Sequence, residues 1–340
     1  MKRILVLREN GRLAASRDSK AELWFGPPDS DPVSRPVLVA LAEAAERDAE
    51  LQGHSAPLFT LSASGRALRA ADRVGFVDSA QLCVEVFPKW LSPAAPVDGA
   101  TASTYVARAE LSALLTYSGV LDVEPGGETL RQLRRCAMPE WVLAALTTRL
   151  HRALVAGVRF DYREEEEPLV AVRGRMLADL QIRRGAGLPV PAWCRHEVFG
   201  ADTPLNRLLA LLADLLGRTT RRRATGRLAR ACTRQLVGAL PSTVPHGDRQ
   251  RIRWSRANEH CRGSVDALMV LLSGLSEGPR PGWGTTWTWS VGMAQVFERY
   301  LERVLLDLHR RDPTVPRRRS QVVVGSLATK PRGFAQQPDI

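Results

Sequence analysis

The sequence predicts an α+β fold built from three consecutive parts. Short apolar runs separated by Gly and Pro occupy residues 1–104 and predict a β-rich domain. Apolar residues at three- and four-residue spacing dominate residues 105–280 and predict a helical region, which also contains a β-hairpin. A long amphipathic segment followed by a short apolar run predicts a small α/β part over residues 281–340. We expect each part to form a domain.

The elements of the first part follow from apolar patterning. Residues 4–7 and 74–77 are short apolar runs and are expected to be strands. Residues Leu82–Phe87 alternate, with Glu85 on the face opposite the valines, which predicts a half-buried strand. Residues 37–51 are rich in Ala and Glu and have the apolar spacing of a helix.

The later parts are predicted in the same way. Residues 203–216 form a strong helix pattern, with Thr203 as the N-cap and Pro204 in the first turn. Residues 158–172 suggest strand, turn and strand, with the four glutamates at 164–167 on the exposed tip of the hairpin. Residues 296–308 have the spacing of an amphipathic helix.

Composition excludes several classes of protein. The chain has 340 residues, of which 44% are hydrophobic and 25% charged, so it is neither disordered nor a disulfide-stapled miniprotein. Its five cysteines are widely spaced without a C-x-x-C pair, which favours the reducing cytoplasm. Cys194-x-His196 lacks a second pair at zinc-ligand spacing and is interpreted as an ordinary thiol and imidazole. The absence of a secretory segment or long apolar run predicts no membrane association.

The positive charge is concentrated in one segment. The net charge is +12, yet residues 217–262 alone contain 12 arginines against two acids, and residues 1–105 are nearly neutral. Such a basic segment predicts double-stranded DNA as a partner, with a solvated basic face or an acidic protein partner as alternatives. Only Trp254 is aromatic there, so base stacking is not expected. The candidate DNA-binding residues are Arg221, Arg222, Arg223, Arg227 and Arg230.

Several catalytic motifs are missing from the sequence. None of the four lysines follows a glycine, so there is no Walker A loop and we expect no nucleotide hydrolysis by this chain. The sequence has no G-x-S-x-G, HExxH or GxGxxG motif either. These absences argue against a serine hydrolase, a zinc protease and a dinucleotide-binding enzyme.

The C-terminal part carries two acids in the order found in PD-(D/E)xK nucleases. Glu298 lies on the predicted helix, and Pro338-Asp339 follows the apolar run at 321–325. Clustered carboxylates hold Mg²⁺ beside a scissile phosphate in such enzymes. The acid-x-Lys pair that completes the pattern would fall beyond Ile340, so the sequence predicts an incomplete, truncated nuclease core. A simple turn is the alternative interpretation of Pro338-Asp339.

Four segments in order resemble McrC, the nuclease subunit of the McrBC modification-dependent restriction system. They are residues 74–77 with 84–89, residues 160–175, residues 194–208 and residues 293–301. The second segment has an aromatic, an acidic run and then an Arg-Gly-Arg; the third has Asp-Thr followed by Asn-Arg at the start of a helix. The positions that match the family's motifs are Lys89, Arg173, Gly174, Arg175, Asp202, Thr203, Asn206 and Arg207.

The resemblance implies a division of labour. An McrB-type AAA+ partner would bind and hydrolyse GTP, and the McrC-like chain would dock on it through residues 1–104 and contribute a Mg²⁺-dependent endonuclease in phage defence. Asp339 would be the metal ligand and Glu298 the accessory acid. Because the acid-x-Lys pair is missing, a catalytically dead scaffold that binds DNA or the AAA+ ring is the alternative function. A DNA-binding regulator with a helix-turn-helix in residues 218–240 is a weaker alternative.

Overall fold

The structure, a computed structural model, describes residues 3–8, 12–14, 35–63, 67–79, 82–91, 102–121, 136–184, 191–277, 285–314, 325–326 and 335–336. These residues form a mixed α and β fold. The chain divides into two compact units: one is Met1–Ala145 with Val270–Ile340, and the other is Leu146–Met269.

A five-stranded sheet is the centre of the first unit. The strand order is β1 (Arg3–Arg8), β6 (Leu82–Phe87), β5 (Arg73–Asp78), β11 (Thr285–Gly292) and β10 (Leu275–Glu277). β1 runs parallel to β6, and the other neighbouring strands are antiparallel. The strands predicted at 4–7, 74–77 and Leu82–Phe87 are therefore confirmed.

Helix α1 (Arg35–Gln52) covers one face of this sheet, and a small antiparallel sheet lies against the same helix. The small sheet has the order β2 (Arg12–Ala14), β4 (Ala67–Ala70) and β3 (Phe59–Leu61). Side chains from these elements form one buried apolar cluster, which includes Leu38, Leu41, Phe59, Leu68, Val84 and Val86. Helix α1 confirms the helix predicted at 37–51, and its apolar stripe is the face that enters this cluster.

Strand β6 is more deeply buried than its alternation predicted. All six of its residues are buried, including Glu85 at 0% exposure. Glu85 accepts two hydrogen bonds from Arg108 of α2 (Ala102–Tyr117), with Nη2 at 2.8 Å and Nε at 3.2 Å from Oε2. The prediction of a half-buried strand is wrong because both faces of the sheet are covered, and the acid meets an arginine rather than water.

The glycine of the Val-Gly-Phe-Val run permits a close approach between two strands. Gly75 on β5 lies opposite Ser290 on β11. A Cβ atom at Gly75 would stand 2.1 Å from the carbonyl oxygen of Trp289, which no side chain can do. The glycine is thus required for pairing between these two strands, which are more than 200 residues apart in sequence.

Helix α9 (Met293–Arg311) follows β11 directly and confirms the helix predicted at 296–308. It lies against α2, where the rings of Tyr117 and Tyr300 are 5.3 Å apart and the Tyr117 hydroxyl donates to Asp307 at 2.9 Å. Two short strands, β12 (Gly325–Ser326) and β13 (Ala335–Gln336), pair after it. Of the strand predicted at 321–325, residues 321–324 lie outside the described residues.

The two units divide the chain differently from the three predicted domains, whose boundaries were at 104 and 280. Residues 285–292 belong to the same sheet as residues 73–87, so the first unit is built from both ends of the chain. Local patterning assigned these segments to separate parts because it carries no information on which distant strands pair.

The second unit combines helices with a three-stranded sheet. Its sheet has the order β7 (Asp161–Leu169), β9 (Ala192–Gly200) and β8 (Arg175–Met176). The helices are α3 (Met138–Val155), which begins in the first unit, α4 (Ala178–Arg184), α5 (Pro204–Thr219), α6 (Arg223–Gln235), α7 (Pro245–Arg251) and α8 (Arg262–Gly274), which ends in the first unit. Helix α5 packs against α6 and α7.

The predicted hairpin with the glutamates at its tip is wrong. The acidic run lies in the middle of β7, which pairs along its whole length with β9 from Asp161 opposite Gly200 to Leu169 opposite Ala192. Arginines on the two strands compensate the carboxylates: Arg195 contacts Glu166 at 2.6 Å, and Arg163 pairs with Glu165. Because Arg163 and Arg195 pair with two of the four glutamates, the acidic run can lie within a paired strand and does not require a turn.

Candidate functional site

Helix α6 carries a line of arginines on one face. Arg223, Arg227, Arg230 and Arg234 are spaced by four, three and four residues, which places them on the same side of a helix. All four are exposed, and none forms an ion pair with a described residue. We call these four residues the arginine stripe.

The start of α6 is electrostatically unfavourable on its own. Arg221, Arg222 and Arg223 stand at the N-terminus, where the helix dipole is positive, and α6 contains no acidic residue. A cation in that position costs about 0.3–1 kcal/mol. The predicted DNA-binding residues are therefore brought together on one helix and its N-terminus, in an arrangement that an anion would stabilise.

Helices α5 and α6 form a helical hairpin. A Cβ at Gly217 would contact that of Ala229 at 3.7 Å, and Ala213 shares a groove of about 560 Å³ with Val237, which follows α6. The two helices thus pack against each other next to the short connection at 220–222. The helix-turn-helix proposed for residues 218–240 stays a prediction.

The Asp-Thr-x-x-Asn-Arg segment is a structural junction. Thr203 caps α5 as predicted, and Asp202 receives two hydrogen bonds from Arg207 at 2.7 and 2.8 Å and pairs with Arg163 of β7. Asn206 is fully buried and donates to the carbonyl oxygens of Arg159 at 2.5 Å and Ala201 at 2.7 Å. The junction fixes the ends of β7 and β9 to the start of α5.

The Asp202 carboxylate of this junction is held in its ionised form. The hydrogen bonds from Arg207, together with the charges of Arg207 and Arg163, hold the pKa of Asp202 below its usual value. Its side chain is 15% exposed, so the ion pairs are partly shielded from water. Asp202 and Asn206 thus position the three-stranded sheet rather than offering free groups for catalysis.

The Arg-Gly-Arg motif turns the chain close against β9. Gly174 has φ +69°, a conformation that favours glycine, and a Cβ there would lie 2.4 Å from the carbonyl oxygen of Arg195. Arg173 and Arg175 are exposed on either side. The glycine thus shapes the connection between β7 and β8 and leaves both arginines at the surface.

The fold brings aromatic residues to the arginines, which the sequence did not predict. A cavity of about 500 Å³ is lined by residues that include Arg159, Arg251, Arg253, Trp254 and Tyr162. Tyr162 in turn belongs to an exposed ring cluster, with centroids 4.9 Å from Phe199, which stacks on Phe160 at 5.7 Å. The rings come from the ends of β7 and β9, distant in sequence from the basic segment, so composition within that segment could not indicate them.

Comparison with known proteins identifies the family. A family model described as McrBC 5-methylcytosine restriction system component matches residues 68–340. The chain belongs to the McrBC family. It is an McrC-like subunit, as the four sequence segments predicted. A comparison with curated proteins gave no match.

Two solved structures from Thermococcus gammatolerans share the McrC-like fold. A chain of the McrBC complex, determined by cryo-EM, has a TM-score of 0.54 and 17% identity, with 89% of this chain and 87% of that chain covered. A chain of a half-complex from the tetradecameric assembly of McrB AAA+ hexamers with bound McrC has a TM-score of 0.64 and 17% identity, with 99% and 75% covered. At this identity the likeness shows the fold alone.

The structure describes some of the remaining residues predicted from the resemblance to McrC, but not all of them. Lys89 is exposed in the turn after β6, and Glu298 is exposed on α9. Asp339, the proposed metal ligand, lies outside the described residues. The described residues therefore include the expected accessory acid, Glu298, but not the expected metal ligand, and no step of DNA cleavage follows from them. No described helix is long and apolar enough to cross a membrane.

Proposed function

We propose that this McrC-like chain docks on a hexameric McrB-type AAA+ partner, which binds and hydrolyses GTP, and that the complex acts on DNA containing 5-methylcytosine. The observation that supports this most directly is the family match over residues 68–340. The fold likeness to a chain of an assembly of McrB hexamers with bound McrC supports it further. The McrC-like chain would contribute the endonuclease segment, with Glu298 and Asp339 as its acidic residues and Mg²⁺ as its cofactor.

The three-stranded sheet of the second unit is the surface best suited to the protein partner. Large apolar side chains are unusually exposed at its β8 end: Val170 at 85%, Val172 at 63% and Ile182 at 72%. Exposed apolar patches on a protein surface mark sites of contact with other proteins. The alternative docking surface lies within residues 1–104, which the sequence predicted for docking and where Trp90 is also exposed.

The arginine stripe is the surface best suited to DNA. Four arginines on one face present the planar, permanently charged groups that bind phosphate. The cavity with Arg251 and Arg253 provides a second basic surface in the same unit. The arginines at the α6 N-terminus add positive charge to a helix end that attracts anions, which supports an anionic partner.

Co-elution with the partner tests the docking proposal. The chain is mixed with an McrB-type protein from the same organism and a non-hydrolysable GTP analogue, and the complex is resolved by size-exclusion chromatography. We expect the chain to elute with the hexamer and the V172S/I182S variant to bind at least about tenfold more weakly, because truncating apolar contacts at an interface costs 1 kcal/mol or more each.

Trp90→Ser is the matched control, because it also removes an exposed apolar side chain. Weaker binding by W90S with full binding by V172S/I182S would transfer the docking surface to the predicted residues 1–104. Absence of co-elution by the unaltered chain would contradict the proposed function itself.

A further inference from the structure

Three potential metal ligands converge where β7 pairs with β9. Glu165 lies directly opposite His196, and Glu167 lies two residues further along the same face of β7. One ligand atom from each residue can be chosen so that all three lie within 4.8 Å of one another. Two carboxylates and an imidazole from two paired strands thus face one point.

His196 is buried without adequate hydrogen-bond partners. The residue is 6% exposed, and its Nδ1 has no partner among the described residues. Its Nε2 lies 3.5 Å from Oε1 of Glu167, at the outer limit of a hydrogen bond. A buried imidazole with such weak contacts is destabilising, so a metal ion bound to one of its nitrogens would be stabilising.

The burial of His196 is built into the fold. A Cβ at Gly174 would lie 3.0 Å from the His196 Cβ, so the glycine of the Arg-Gly-Arg motif brings the backbone directly over this residue. His196 therefore lies on the central strand of its sheet with the Gly174 backbone against it. The two glutamate side chains are more accessible, with 27% exposure for Glu165 and 48% for Glu167, so they can adjust around an ion.

The carboxylates around His196 have more negative charge than the neighbouring arginine compensates. Glu165 pairs with Arg163, but that arginine also pairs with Asp202 of the junction. Glu166, on the opposite face of β7, pairs with Arg195. The face that carries Glu165 and Glu167 thus has more negative charge than its single shared arginine compensates.

We propose that Glu165, Glu167 and His196 bind a first-row divalent cation of the Zn²⁺ class between β7 and β9. A set of one imidazole and two carboxylates suits such an ion, and with three protein ligands a coordination position remains for water. Mg²⁺ and Ca²⁺ prefer all-oxygen ligands, so the buried imidazole selects against them. The ion would join the two strands and thereby stiffen the sheet.

The sequence pattern missed this site for a specific reason. Cys194-x-His196 was interpreted without function because no second pair at zinc-ligand spacing exists in the sequence. The fold supplies the other ligands from the acidic run on the neighbouring strand, 29 and 31 residues earlier in the chain. A ligand set split between two strands in this way has no local spacing signature.

Metal titration of the untagged full chain tests the site. The chain is stripped with a chelator and titrated with Zn²⁺ by calorimetry, and with Co²⁺ followed by its visible absorption. We expect about one tight equivalent, with little competition from Mg²⁺. E167Q and H196N are expected to bind at least about tenfold more weakly, since even residues around a ligand commonly contribute 10–100-fold. The melting temperature of the unaltered chain should rise on Zn²⁺ addition.

E164Q is the matched control, because Glu164 is exposed on the opposite face of β7. It should bind Zn²⁺ like the unaltered chain and show the same rise in melting temperature. E167Q changes an accessible side chain, so it reports on the metal even if H196N fails to fold. Equal Zn²⁺ affinity in E167Q and the unaltered chain, or no tight equivalent in the unaltered chain, would overturn the proposal. The site does not depend on docking to the AAA+ partner.

Discussion

Asp48 is an acid that the fold buries away from water, on the face of α1 that meets the sheet. It is 1% exposed and accepts hydrogen bonds from Gln52 and from the Ser290 hydroxyl at 3.3 Å, and the Arg73 side chain donates to the same serine at 3.1 Å. Burial raises the pKa of Asp48 from 3.8 to about 6, although these hydrogen bonds and the Arg73 charge oppose the shift. The folded chain therefore binds this proton more tightly than the unfolded chain.

The raised pKa of Asp48 predicts a pH-dependent stability. Between pH 4 and 6 the folded state holds more protons than the unfolded state, so the contribution of Asp48 is most favourable at low pH and is lost as pH rises. Asn mimics the protonated acid. The unfolding free energy of D48N, relative to the unaltered chain, should rise by about 2 kcal/mol from pH 4 to pH 7.

Urea denaturation at several pH values measures this difference. E46Q, on the exposed face of the same helix, is the control and should show a much smaller change. A D48N difference that stays constant from pH 4 to 7 would show that Asp48 is not held protonated by the fold.

Some residues could be assigned correctly from the sequence and others could not. Thr203 and Pro204 were assigned correctly as the start of a helix, because capping depends only on neighbouring residues. Glu85 and Asp48 could not be assigned to the core, since an acid in a strand or helix is ordinarily exposed. Their burial depends on Arg108 and Ser290, which come from other elements.

At the scale of elements, periodicity predicted helices better than strand pairs. The helix at 296–308 was recognised within α9, because its apolar stripe repeats over several turns. Strand β7 was mistaken for two strands and a turn, because four successive glutamates look like a solvated tip. Its true partner begins at Ala192, and no local signal connects the two.

The arginine stripe leads to a prediction for helix α6. R227Q/R230Q should weaken binding to a short DNA duplex and should reduce the slope of log K against log salt by about 1.8, since each phosphate contact releases about 0.9 of a counterion. Fluorescence anisotropy at a series of salt concentrations measures both quantities.

R47Q/R183Q is the control for that experiment, because it removes the same number of charges from exposed positions on α1 and α4. If both double variants lower the affinity and the slope equally, the effect comes from net charge and the stripe has no special role. An unchanged slope in R227Q/R230Q would contradict DNA contact by α6.

At the scale of the whole molecule, the sequence predicted the family but not the division of the chain. The order of the four McrC-like segments was sufficient for the family, which the match over residues 68–340 confirmed. The first unit, in contrast, needs residues from both ends of the chain, because β11 completes a sheet begun by β1, β5 and β6. The candidate residues on α6 were found from charge alone, whereas the aromatic residues and the Glu165–Glu167–His196 group required the fold.

We propose that this chain acts through an McrB-type AAA+ partner. The most direct measurement is the GTP turnover of an McrB-type protein from the same organism, with and without the purified chain, at concentrations where the two co-elute. We expect the chain to have no GTPase activity of its own and to raise the partner's turnover severalfold. A partner whose turnover is the same with and without a saturating amount of the chain would contradict the account.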